Sequence, residues 1–187
     1  MLAVPSSILA SAILASAALA TVAAPIVKAD TLAAPIVKAK TLSMPTGQVV
    51  LTVTGDIFST NQSANAEFDV EMLKSLGEVS FETTTPWTDG VQTFTGVPLY
   101  RLAGALGVTE GTLNAVAVND YSVEVPVSDA VEDGPIIAYL QNGSPMSVRE
   151  KGPLWIVYPY DLNKDYQSEV SYSRSIWQLV RVDVNAN

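Results

Sequence analysis

The chain has 187 residues, a formal net charge of −9, 48% hydrophobic residues and only 16% charged ones, which suits one domain with an ample core. It contains no Cys and no His, which excludes disulfides, thiolate or imidazole metal sites, His-based triads and Cys nucleophiles. The acidic balance, with no clustered Lys and Arg, argues against a nucleic-acid partner, because counterion release needs concentrated positive charge.

Ile8–Val22 is uncharged and rich in Ala, Leu and Ile, and Ala18-Leu19-Ala20 is a small-x-small cleavage site; together they read as an export signal. Its basic n-region is missing, since no Lys or Arg precedes Lys28. A near-exact duplication follows, Ala23–Leu32 and Ala33–Leu42, too few copies for a solenoid. The expected organisation is an export signal with a duplicated processing or linker segment over 1–42, cleaved after Ala20, Ala29 or Ala39. A globular domain over 43–187 follows, exported or periplasmic. A retained N-terminal helix is the alternative, because the apolar run is short for a spanning segment.

In the globular part, Gln48–Thr54 alternates Val49, Leu51 and Val53 with polar neighbours and predicts a half-buried strand, ended by Gly55. Asp69 can cap a short helix with Val70, Leu73 and Leu76 on its apolar face and Gly77 as its stop. A strand over Glu78–Thr85 delivers Thr85-Pro86-Trp87 to its end. Pro98 opens a helix over Leu99–Leu106, closed by Gly107. Two short strands, Asn114–Asn119 and Ser122–Val127, flank Asp120-Tyr121, and Asp129–Asp133 suggests one helical turn. Strands are expected at Ile136–Gln141, Leu154–Tyr158 and Ile176–Val184, the last alternating Ile176, Gln178, Val180, Val182 and Val184. Short strands with a few small helices make the fold class α+β, a mixed sheet or partly closed barrel.

One stretch stands out. Asn142-Gly143 is a turn dipeptide after an apolar run, Arg149-Glu150-Lys151 is a charged cluster, and Gly152-Pro153 opens a second apolar run closed by Pro159. Two buried strands joined by a charged loop are a common base for a binding site, although the loop reads equally as a solvated connection. Asn142-Gly-Ser-Pro-Met146 and Gly152-Pro-Leu-Trp-Ile-Val-Tyr-Pro159 are joined by Thr83-Thr-Thr-Pro-Trp-Thr-Asp-Gly90, Phe94-Thr-Gly-Val-Pro-Leu99 and Asn119-Asp-Tyr-Ser-Val-Glu-Val-Pro126. In this order they resemble the oxidoreductase molybdopterin-binding family, and more closely its small, single-domain, exported bacterial members. The resemblance runs from about Val49 to Val184 and implies the fold of the sulfite oxidase cofactor domain.

In molybdenum enzymes of that type, the segment matching Thr83-Thr84-Thr85 carries the Cys that ligates the metal. Hydroxyls cannot replace a thiolate as its soft ligand, so no molybdenum is expected, and the ligand implied is a pterin, either molybdopterin or a metal-free reduced pterin. Trp87 can stack on a flat heterocycle, or else fill core space, and the Thr85 hydroxyl can bond a pterin edge. Asp120 can accept from the amino and ring N–H edge of a pterin, or serve only as a turn former, with Tyr121 beside it. Arg149, Lys151 and Arg174 can meet an anionic group such as a pterin side-chain phosphate, or form surface salt bridges. Trp177-Gln178 stands where family members place a Lys-Trp-like pair in contact with the cofactor. Tyr158 and Tyr160 end a strand facing the same edge, Tyr158 being equally a core candidate.

The expected cofactor-binding set is therefore Thr85, Trp87, Asp120, Tyr121, Arg149, Tyr160, Arg174 and Trp177. There is no Gly-rich phosphate loop, no calcium loop and no paired catalytic carboxylates. Three functions stay open. One is an exported pterin-binding protein that partners the periplasmic domain of a membrane sensor, as the resemblance implies for some small family members. The second is an oxidoreductase holding molybdenum through its cofactor alone. The third is a ligand-free protein-interaction module.

Overall fold

The computed structural model describes residues 42–186. The expected export signal, its cleavage sites and both repeats up to Thr41 lie outside the described residues.

Strand β1 (Leu51–Gly55) buries Leu51 and Val53 on alternate residues and begins at Leu51 rather than Gln48. After β2 (Ala66–Phe68), helix α1 (Val70–Ser75) starts at Asp69, whose side chain accepts the Met72 N–H at 2.8 Å. The same carboxylate accepts the N–H groups of Thr46 and Gly47, each at 2.8 Å. These donated amides, Gly47's first, hold the buried Asp69 below the ordinary carboxylate range. β3 (Val79–Thr83) is shorter than expected, and β4 (Gln92–Pro98), which no alternation announces, leads into α2 (Leu99–Leu106). That helix buries Leu99, Leu102, Ala103 and Leu106 as one stripe and closes on Gly107 at φ 76°, as its sequence predicts.

β5 (Thr112–Ala117) and β6 (Ser122–Pro126) form a hairpin. The helical turn that follows is a 3-10 turn at Val127–Asp129, not at Asp129–Asp133. β7 (Ile136–Gln141) matches its prediction; β8 (Ser144–Pro145) and the fully buried β9 (Trp155–Val157) follow. Then come a 3-10 turn at Lys164–Tyr166, helix α3 (Glu169–Arg174) and β10 (Leu179–Asn185).

The strands make two sheets of five. One has the order β2-β1-β10-β5-β6; in the other β3-β4-β7 continues to both β8 and β9, which pair with different parts of β7. β1 and β10 are parallel, with Thr52 opposite Arg181, and the other pairings are antiparallel. The α+β class holds, the sheets are two, and no closed barrel forms among the described residues. Where β4 meets β7 the register shifts between Thr95 and Gly96, and a Cβ on Gly96 would lie 2.2 Å from the Ile137 carbonyl oxygen. Only glycine fits that approach.

The last strand departs from its alternating pattern. Gln178 has φ 54°, the strand starts one residue later, and the register shifts between Leu179 and Arg181. The buried set is therefore Leu179, Val182 and Val184 rather than every second residue from Ile176. The break has a role. The Ile156 N–H donates to the Ile176 carbonyl and the Leu179 N–H to the Leu154 carbonyl, both at 2.9 Å. These bonds tie β9 of one sheet to the segment that enters β10 of the other, and they fix Trp177 at the junction.

Candidate functional site

A cleft of about 370 Å³ opens at this junction, within the size range of small-ligand sites. Trp87 comes from the loop after β3, Ala117, Asn119 and Tyr121 from the β5–β6 turn, and Tyr172, Ser173, Ser175, Ile176, Trp177 and Gln178 from α3 and its exit. Trp87, Tyr121 and Trp177, three of the residues assigned from sequence, are thus brought together. None of the lining residues is an Asp, Glu, Lys or Arg.

Local chemistry sets each aromatic in place. The Thr85 hydroxyl bonds that of Thr88 at 2.8 Å and accepts the Trp87 N–H at 3.1 Å, a short hydroxyl turn that aims the indole. Its ring meets Trp177, Tyr172 and Trp155 edge-on, with centroids 5.5, 5.9 and 6.0 Å away. Tyr121 follows Asp120, which takes φ 64°, and its N–H donates to Asn119 Oδ1 at 3.2 Å. Beside Trp177, the Gln178 N–H donates to the Lys151 carbonyl at 3.0 Å, and its side-chain amide donates to the Val148 carbonyl at 2.5 Å. The Lys151 ammonium lies 4.9 Å from the Trp177 ring centroid and 5.3 Å from that of Trp155, a cation–π contact.

Thr85 and Tyr160 line a neighbouring hollow of about 320 Å³ with Thr84, Pro86, Gln167 and Tyr172, so Tyr172 borders both spaces. Tyr160 is buried; its hydroxyl bonds the Ser175 hydroxyl, and burial pushes its pKa up to about 12. Tyr158 is also a buried core residue, its hydroxyl donating to Asp129 Oδ2 at 2.7 Å.

Asp120, Arg149 and Arg174 do not line the cleft. Asp120 and Arg149 are exposed, Asp120 at the tip of the β5–β6 turn and Arg149 in the loop between β8 and β9. Arg174 is paired with Asp129 at 2.9 Å. Sequence reasoning missed Tyr172, Ser173, Ser175 and Asn119. The one local signal for the first three is the pair Ser168 and Ser171, where the Ser168 hydroxyl caps α3 by accepting the Ser171 N–H at 3.3 Å.

The threonine segment does not fit a molybdenum ligand. The Thr83 hydroxyl donates to the Thr84 carbonyl at 3.2 Å and accepts the Asp161 N–H at 3.1 Å. The Asp161 carboxylate accepts the Thr84 N–H and hydroxyl at 2.6 and 2.9 Å. With the Thr85 hydroxyl bonded to Thr88, all three hydroxyls serve the loop, and none has the softness of a thiolate. Among the described residues no group of three His, Cys, Asp or Glu side chains is arranged to hold a metal ion.

No family model matches the chain, and no curated protein matches it. Among solved structures it is similar to the sulfane dehydrogenase SoxCD from Paracoccus pantotrophus, with a TM-score of 0.53 and 16% identity. The match covers 73% of this chain and 38% of that one, so the chain spans well under half the length of the neighbour. At that identity the likeness is one of fold, and it agrees with the sulfite oxidase-like fold that the sequence motifs imply.

Proposed function

We propose that this chain is an exported, metal-free pterin-binding protein that holds a flat pterin-class ring in the cleft between Trp87, Tyr121 and Trp177 and acts as a ligand-sensing partner of a membrane signalling protein. The observation that carries the binding reading is the convergence of four aromatic residues, Trp87, Tyr121, Tyr172 and Trp177, on one cleft of about 370 Å³. Stacking surfaces with a few neutral polar groups suit a heteroaromatic ring. The motif resemblance to the molybdopterin-binding family supports the pterin class, while the fully engaged hydroxyls of Thr83, Thr84 and Thr85 speak for a metal-free ligand. Export and the sensor partner are supported by the Ala-rich N-terminal run and the motif resemblance.

The test is tryptophan fluorescence of the purified full chain titrated with 6-hydroxymethylpterin, alongside metal analysis of protein made in a molybdenum-replete host. Saturable quenching at substoichiometric molybdenum is the expected result. About one molybdenum per chain with turnover of an oxo-acceptor would replace this reading with the oxidoreductase. No quenching and no metal would leave the protein-interaction module.

A further inference from the structure

We infer that the ligand of this cleft is an uncharged heterocycle, and that a phosphorylated or carboxylated form of the same ring is rejected. The inference rests on the pterin reading above and narrows its ligand class. Its first support is the lining itself, which holds aromatic, hydroxyl and carboxamide groups and no formal charge. An anion drawn from water into such a site loses hydration and gains no counterion, a cost that grows with burial.

The second support is where the nearby cations lie. Arg174, between two lining serines in sequence, gives its guanidinium to Asp129 at 2.9 Å, and that carboxylate also accepts the Tyr158 hydroxyl at 2.7 Å. Lys151 rests against the rings of Trp177 and Trp155, 4.9 and 5.3 Å from their centroids, and does not line the cleft. Arg149 is exposed on the loop between β8 and β9. A phosphate therefore meets no Lys or Arg among the lining residues, and a protein of net charge −9 adds a repulsive background.

The third support is the orientation of the two lining amides. Asn119 Oδ1 accepts the Tyr121 N–H, which leaves its NH₂ for a ligand; the Gln178 NH₂ is given to the Val148 carbonyl, which leaves its oxygen. Each amide keeps both donor and acceptor capacity, which suits the mixed donor–acceptor edge of a pyrimidinone ring. Neutral donors alone do not offset the charge of a phosphate. The phosphorylated molybdopterin that the motif resemblance implies is disfavoured by the uncharged lining.

Calorimetry on the purified full chain at pH 7 tests this, with 6-hydroxymethylpterin and its phosphate monoester as probes. The neutral compound should bind at least about tenfold more tightly, the scale of one uncompensated hydrogen-bonding group. Equal or tighter binding of the ester would overturn the inference and leave the pterin reading intact, whereas no binding of either compound would remove both. Ser173→Arg, which adds a cation at the lining, should narrow the preference by roughly tenfold, as a new charge-assisted bond would. A folded variant with unchanged preference would overturn the charge argument.

Discussion

The Arg174 guanidinium meets Asp129 Oδ2 at 2.9 Å, and this pairing, not ligand contact, occupies the cation nearest the cleft in sequence. The same oxygen accepts the hydroxyl of the buried Tyr158 at 2.7 Å. Asp129 therefore joins the turn before β7 to both β9 and α3. Asp129→Ala would leave the tyrosine hydroxyl without its acceptor, a loss of about 1–3 kcal/mol, and the mostly covered ion pair adds about 1 kcal/mol more. Asp129→Asn keeps an acceptor and should lose less. Urea unfolding of the two variants and of Tyr158→Phe checks this, since the effects of Asp129→Ala and Tyr158→Phe should be strongly non-additive. Additive losses would contradict the shared hydrogen bond.

Trp87 and Asp120 were assigned to one site from sequence, and their positions separate them. Trp87 lines the cleft and Asp120 does not. Trp87→Ala should weaken 6-hydroxymethylpterin binding at least about tenfold, because stacking adds about 0.5–1.5 kcal/mol to the loss of buried surface. Asp120→Asn should shift affinity by less than about twofold, as exposed sites away from a contact usually do. Fluorescence titration, with circular dichroism to confirm folding, decides. A large effect of Asp120→Asn would return that carboxylate to the ligand.

Legibility in the sequence followed the range of the interactions. α2 could be read because Pro98, Gly107 and a leucine stripe all act within an eight-residue helix and its two flanking residues. The α1 cap at Asp69 was equally local. β4 was missed because its run from Phe94 to Pro98 is wholly buried, so it shows no alternation, and because Gly96 and Pro98 read as breakers among its strand-forming Thr, Phe and Val residues. α3 was missed because it is six residues long and buries only Ser171, with no apolar stripe to announce it. Of the cleft lining, Trp87 and Tyr121 were legible from turn residues beside strand ends, and Trp177 only from the motif resemblance. The fate of Arg174 was not, because its partner lies forty-five residues earlier in the chain. No local pattern encodes which of several carboxylates a given arginine will reach.

Three buried tyrosines set an alkaline limit on stability. Burial first, and then the hydrogen bonds to Glu78 and Asp129, push the Tyr139 and Tyr158 hydroxyls well above the ordinary value of 10.0; burial pushes Tyr160 to about 12. Tyr139 donates to Glu78 Oε2 at 2.6 Å and Tyr158 to Asp129 Oδ2 at 2.7 Å, so ionisation would set two negative oxygens against each other. In the unfolded chain these groups lose their protons near pH 10, while the folded chain keeps them. The folded state thus binds more protons between pH 10 and about 12, and stability falls as pH rises through that window. Each tyrosine contributes a slope of up to about 1.4 kcal/mol per pH unit, and nothing below pH 9. Melting temperatures measured from pH 8 to 12 should be flat at first and then drop steeply. Tyr160→Phe, which removes the ionising group and keeps the ring, should make that drop shallower. A melting temperature that stays level to pH 12 in the parent would show that these hydroxyls ionise in the folded chain as freely as in the unfolded one.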